Sequence, residues 1–151
     1  MKIFIASDHG GFYLKQELIS YLENKGHQVT DFGAEKFVSK DDYTDYVFPL
    51  AEAIAADKRA LGIILGRSGN GEAIAANKVA GVYVAHCVNE KMAVKAREHN
   101  AANVIALGAE YTPITAAKKI VDAFIKTPFS AAARHKRRIN AIKKYEASHT
   151  K

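Results

Sequence analysis

The sequence predicts an α/β domain in three layers, a doubly wound parallel sheet of five strands with helices on both faces. Two observations predict it. Short apolar runs alternate along the chain with longer stretches of helical period, which is the pattern of βα units. The polar, glycine-containing segments "SDHGG", "GRSGNGE" and "GAEYT" follow the first, third and fifth of those runs, where a sheet of this kind receives its ligand.

The first strand is "KIFIAS", residues 2–7, after which Gly10 and Gly11 let the chain turn. An amphipathic helix fits residues 11–25, and "HQVTDF", 27–32, is the second strand. Residues 45–57 carry the next helical pattern, and "LGIIL", 61–65, reads as a strand buried on both faces. A helix over 70–79 opens from the glycine-rich loop, and "VYVAHC", 82–87, gives the fourth strand. A helix over 89–98 leads to the fifth strand, "NVIALG", 103–108, and a helix over 113–125 covers the sheet again. The last helix, 131–147, carries "RHKRR" and has no strand after it. With no sheet position to fill, it is expected to pack on a partner subunit.

At 151 residues the chain suits a single domain, 1–151, burying roughly 68–70% of its unfolded surface. Cys87 is its one cysteine, so no intrachain disulfide is possible, and the chain opens on a charged strand pattern rather than a signal peptide. A cytoplasmic protein is the expectation. No apolar run approaches the roughly 20 residues of a membrane span. The net charge of +6 is uneven: residues 118–151 hold ten Lys and Arg against Asp122 and Glu146, while the remainder holds twelve against fourteen acids. A basic tail suits nucleic acid, an anionic small molecule or simple solvation. Tyr145 is the one aromatic near its basic run, which supplies stacking readout of a nucleic acid poorly.

The loop "GRSGNGEAIAANK", Gly66 to Lys78, suggests an anion at a helix start but excludes the usual nucleotide loops. Gly66 and Gly71 have P-loop spacing, yet Glu72 and Ala73 stand where Lys and Ser or Thr are required. As a dinucleotide fingerprint it fails too, with Ile74 at the third glycine position. What remains is a set of backbone N–H donors beside a carboxylate. That is equipment for removing a proton next to a carbonyl, the base taking the C–H proton while the donors hold the enediolate oxygen. A carboxylate at a helix start can equally serve only the dipole, which lowers its pKa where burial would raise it.

Other candidates lie on the same predicted rim. Asp8 and His9 end the first strand, although an Asp beside Gly also caps a helix. In "REHNAAN", neutral His99 can move a sugar-ring proton and Asn100 can donate to an oxyanion, though both types are common at helix ends. His27, His86 and His149 have no partner pattern, and Cys87 reads as core. No His/Cys/Asp/Glu spacing matches a metal site, so none is expected, nor any other cofactor.

Taken together, "SDHGGF-LK", "GRSGNGEAIAANK", "AREHNAANVIALG" and "RHKRRI" resemble the B-type ribose-5-phosphate isomerases, a family that includes galactose-6-phosphate isomerase. The resemblance implies a Rossmann-like α/β/α subunit, a homodimer or homotetramer with shared active sites, and metal-free aldose/ketose interconversion through an enediolate. One branch of the family uses a cysteine directly after the third strand, the other a glutamate at the following helix start. Here Gly66 holds the cysteine position and Glu72 matches the glutamate. The resemblance assigns Ser68 to proton handling, Gly69, Asn70 and Gly71 to the anion hole, His99 to ring opening and Asn100 to the substrate oxygens. It implies sugar contacts for Asp8 and Tyr43, and phosphate contacts for His9, Arg134 and Arg138, with His135 beside them; the arginines and His99 would come from a second subunit.

The sequence leaves the family pattern at two positions. Glu110 stands where an arginine usually grips phosphate, and Arg67 stands where small residues are common. Either Glu110 turns away and pairs with a cation while Arg67 supplies the positive charge, or the substrate's terminal group is not a phosphate. Arg134, Arg138 and His9 favour the first. The expected activity is interconversion of ribose 5-phosphate and ribulose 5-phosphate. Its alternatives are isomerisation of another four- to six-carbon sugar or sugar phosphate, or a non-catalytic phosphate-binding regulator.

Overall fold

The computed structural model describes residues 1–149; residues 150 and 151, the end of the expected single-domain span, lie outside the described residues. The elements run β1 (Lys2–Ser7), α1 (Phe12–Asn24), β2 (Gln28–Asp31), α2 (Thr44–Ala56), β3 (Leu61–Gly66), α3 (Asn70–Ala76), β4 (Val84–His86), α4 (Glu90–Asn100), β5 (Val104–Gly108), α5 (Ile114–Lys126) and α6 (Ala133–His149). The strands form one five-stranded parallel sheet in the order β2-β1-β3-β5-β4. The predicted fold class is therefore the observed one.

The two-residue alternation of the strands divides the core. Ile3, Ile5, Ile63, Leu65, Ile105 and Leu107 face one layer with Leu18, Leu22, Ile120 and Phe124 of α1 and α5. Ala6, Ile64, Val104 and Ala106 face the other, with Val47, Leu50 and Ile54 of α2 and Ala75 and Ala76 of α3. β3 and β5 lie inside the sheet and are buried along their whole length, which explains their unbroken apolar runs. Among the described residues no helix is long and apolar enough to cross a membrane.

Two departures from the expected boundaries have visible causes. β4 begins at Val84, not 82, because the N–H of Tyr83 is taken by the Asn103 side chain at 2.8 Å. α3 stops at Ala76, short of 79, where Asn77 bonds the Ala73 carbonyl at 2.9 Å and accepts from the N–H of Val84 at 2.9 Å. α4 instead runs to Asn100 and ends on left-handed Ala101, placing His99 and Asn100 in its last helical turn.

Lys15 shows how α1 positions the rim. It is fully buried and reaches both Asp31 oxygens, at 2.8 and 2.7 Å, and the Ala34 carbonyl at 2.7 Å. A buried ammonium requires such partners. Ser7 exchanges backbone bonds with Gly33 and Ala34, both 2.8 Å, so the β2–α2 connection folds over the end of β1.

α6 lies across the amino ends of the strands. Ile139 is buried there, and Glu146 accepts from Tyr83 Oη at 3.2 Å and from the Gly81 N–H at 3.3 Å. The helix expected to rest on a partner thus buries one face against its own chain, while Arg134 and Arg138 are exposed.

Candidate active site

Ser7 pairs with Leu65 and Gly66 with Gly108, which sets the carboxyl ends of β1, β3 and β5 level. Residues 8–10, 66–72 and 109–110 consequently share one rim. Glu72 sits in the first turn of α3 and is 4% exposed. Its carboxylate lies directly over Gly66: a Cβ on residue 66 would fall on Glu72 Oε1 and Cδ and stand 2.6 Å from Oε2. A side chain at position 66 and the Glu72 carboxylate therefore compete for one volume, and glycine cedes it to the glutamate.

Burial raises the Glu72 carboxyl above its ordinary value; its own backbone N–H lowers it and the charge of Asp8 raises it again. The helix start and the burial oppose each other, and burial dominates. Asp8, 7% exposed, is also raised, chiefly by burial. Its Oδ1 accepts from the Gly10 N–H at 2.8 Å, and the N-cap of α1, Gly11, has no side-chain cap. Asp8 thus closes the turn after β1 rather than capping the helix.

The loop before Glu72 presents backbone donors. Gly69 is left-handed, with φ of 78°, a conformation that favours glycine. Ser68 Oγ accepts from the Asn70 N–H at 3.3 Å, leaving the N–H groups of Gly69 and Gly71 without a partner among the described residues. Tyr43 lies against Gly71, its Cζ 2.9 Å and its hydroxyl 3.1 Å from where a Cβ of residue 71 would stand.

His9 is held by Asp41, a residue that no motif in the sequence singles out. One oxygen, Asp41 Oδ1, accepts from His9 Nδ1 at 2.6 Å and from the His9 backbone N–H at 2.9 Å. Nδ1 donates to the carboxylate, and Nε2 has no hydrogen-bond partner among the described residues. Asp41 sits in an irregular connection with no periodicity to mark it. Asp8, His9 and Asp41 also bring ligand-type atoms within 4.8 Å of one another, a grouping that sequence spacing did not disclose. The His9–Asp41 hydrogen bond joins two of the three, and Asp8 Oδ2 lies 3.7 Å from the same ring nitrogen.

Arg67 and Glu110 line one cavity of about 390 Å³ with Gly10, Tyr13, Leu14 and Ala109. The Glu110 N–H donates to the Arg67 carbonyl at 3.0 Å, but among the described residues neither side chain makes an ion pair. The expectation that Glu110 pairs with a cation is not met. Cys87 is buried in the core, and burial pushes its thiol up to about 11.

The other predicted site residues lie at the opposite end of the sheet. α4 runs back from the carboxyl end of β4 to the start of β5, carrying His99 and Asn100 to the amino ends, where α6 holds Arg134, His135 and Arg138. His99 and His135 have ring centroids 4.4 Å apart. From Leu61 to Gly66 the strand alone covers roughly 16 Å. One chain therefore assembles two groups, Glu72 with Asp8, His9, Tyr43 and the loop 66–71, and His99 with Asn100, Arg134, His135 and Arg138, that do not meet.

A family model described as Ribose/Galactose Isomerase matches residues 3–142. Among curated relatives, ribose-5-phosphate isomerase B of Mycolicibacterium paratuberculosis is 46% identical over 99% of this chain and 94% of its own. Among solved structures, ribose-5-phosphate isomerase B of Clostridium thermocellum superposes with a TM-score of 0.94, 40% identity and coverage of 99% of this chain and 100% of that one. The Mycoplasma genitalium enzyme with bound ribulose-5-phosphate gives a TM-score of 0.93 at 41% identity, covering 97% and 96%. With matches over nearly its whole length in both sequence and fold, the chain belongs to the ribose/galactose isomerase family.

Proposed function

We propose that this protein interconverts ribose 5-phosphate and ribulose 5-phosphate through an enediolate, with Glu72 as the base. The observation that carries the reading is the Glu72 carboxylate, buried over Gly66 beside unpartnered backbone donors, with its proton affinity raised. His99 opens the sugar ring. Glu72 then takes the proton from C2 as the C1–C2 double bond forms and negative charge moves to the carbonyl oxygen. Donors of the Gly69–Gly71 loop and Asn100 hold that oxygen. Ser68 handles the hydroxyl proton, and Glu72 returns its proton to C1. The base gives back what it took, so no external acid, reductant or cofactor is consumed.

Asp8 and Tyr43 contact the sugar, while His9, Arg67, Arg134 and Arg138 serve the phosphate. The separation of the two residue groups along the sheet supports a homodimer or homotetramer in which one subunit's α4 and α6 complete the rim of another. A cytoplasmic location goes with this reading, as the lone Cys87 suggests. The relatives named above support the pentose substrate. A second reading, another short sugar or sugar phosphate, draws on the unpaired Glu110 in the Arg67 cavity.

A panel of four- to six-carbon sugars and sugar phosphates, followed by aldose/ketose conversion, tests the proposal. Fastest turnover of ribose 5-phosphate is expected. Preference for another sugar selects the second reading, and binding without turnover would leave a phosphate-binding regulator.

A further inference from the structure

We propose that His135 is a positioning residue, a buried ring that holds Arg134 on one side and His99 on the other, rather than a ligand of the substrate. The inference rests on the isomerase reading for the roles of those two neighbours, but its geometry stands independently. His135 is 4% exposed on a helix whose flanking residues are solvent-facing. Both of its ring nitrogens are already engaged. Arg134 Nε donates to His135 Nε2 at 3.2 Å, and His135 Nδ1 lies 2.7 Å from Ser130 Oγ.

A guanidinium can only donate, so Nε2 accepts and Nδ1 carries the proton given to Ser130. Burial, with His99, Arg134 and Arg138 close by, holds the ring below the ordinary imidazole value, consistent with a neutral acceptor. Tying down Nε leaves both terminal nitrogens of Arg134 free and fixes the plane in which they fork toward a phosphate. The same ring packs against His99 at 4.4 Å, with the planes 36° apart. His99 is otherwise contacted by Glu98, 3.3 Å from its Nε2, and by Lys95 at 3.5 Å, both on its own helix. His135 thus couples the His99 ring to α6.

Two substitutions separate the two attachments. His135→Phe keeps a flat ring against His99 and removes the acceptor for Arg134. His135→Gln keeps an acceptor near Nε2 and removes the ring. His135→Phe is expected to raise KM for ribose 5-phosphate about tenfold with kcat within about twofold, and His135→Gln to lower kcat about tenfold with KM nearly unchanged. Equal rises in KM in both variants would make His135 a substrate ligand and overturn the proposal, as would unchanged kinetics with only a lowered Tm. Should either variant fail to fold, Ser130→Ala, at an exposed position, loosens the ring without replacing it. It should shift both constants in the same directions by smaller factors, and wild-type values for both would overturn the proposal.

Histidine ring ¹H–¹⁵N spectra of the unmodified protein give a readout that needs no turnover. A proton on Nδ1 and none on Nε2 of His135 is expected, and the reverse tautomer overturns the proposal whatever the enzyme's substrate proves to be.

Discussion

Replacing Gly66 by alanine puts one methyl group into the volume that the Glu72 carboxylate occupies. The added Cβ would stand 2.6 Å from Oε2 and closer to Oε1 and Cδ, whereas ordinary van der Waals contact begins at 3.4 Å. The backbone of β3 is fixed between β1 and β5, so the carboxylate must yield, and its nearer atoms have to move by roughly 1–2 Å. A displacement of that size at a reacting group costs on the order of 10²-fold in rate. Steady-state conversion of ribose 5-phosphate by Gly66→Ala should therefore show kcat lowered by about 10²-fold with a smaller change in KM, in a protein whose circular dichroism is native. Because the loss acts through Glu72, adding Gly66→Ala to Glu72→Gln should cost little more than Glu72→Gln alone. Wild-type kcat in Gly66→Ala, or full additivity in the double variant, would refute the argument that residue 66 and the base share one volume.

Other outcomes follow from the same geometry. Glu72 must be ionised to act, so the acidic limb of kcat/KM should fall at a pH above the ordinary glutamate value of 4.5, in the direction burial pushes it. A raised folded-state pKa also means that the stability tied to this group is complete below 4.5 and lost as pH rises through the raised value. Glu72→Gln should accordingly have a higher Tm than wild type at neutral pH, with the margin shrinking in acid; a lower Tm at neutral pH would count against a buried, strained charge. Mixing inactive Glu72→Gln with inactive Arg138→Ala subunits should restore about a quarter of wild-type activity after random exchange into dimers, since half the dimers are hybrids with one intact site. No recovery after verified exchange would mean that each chain builds its own site. Arg67→Ala should raise KM for ribose 5-phosphate markedly and leave an unphosphorylated sugar little changed; equal small effects on both would remove Arg67 from the phosphate.

The sheet was legible because β3 and β5 are buried on both sides, and an unbroken apolar run of five or so residues between glycine-rich turns suits a central parallel strand far better than a helix with one wet face. The edge strand β4 was misjudged at its start because a side-chain carbonyl, that of Asn103, substitutes for a strand neighbour, and local pattern carries no sign of it. At the site, Glu72 and its loop were legible because glycine spacing and a carboxylate occupy adjacent positions in the chain. Whether burial or the helix start controls that carboxylate was not legible, since it depends on how β3, α3 and Asp8 close around it. Asp41 was invisible for a related reason: it reaches His9 from 32 residues away through an irregular connection. His135 was named from its motif, but the inward turn of its ring to Ser130 and His99 was not legible, since its neighbours in sequence are basic.

The central claim is that Glu72 carries the proton between C2 and C1, and turnover of ribose 5-phosphate by Glu72→Gln tests it most directly. The substitution keeps the shape over Gly66 and removes the basicity. A native-like fold with kcat reduced by about 10²–10⁴-fold is predicted, and a folded Glu72→Gln protein that turns over at close to the wild-type rate would contradict the account.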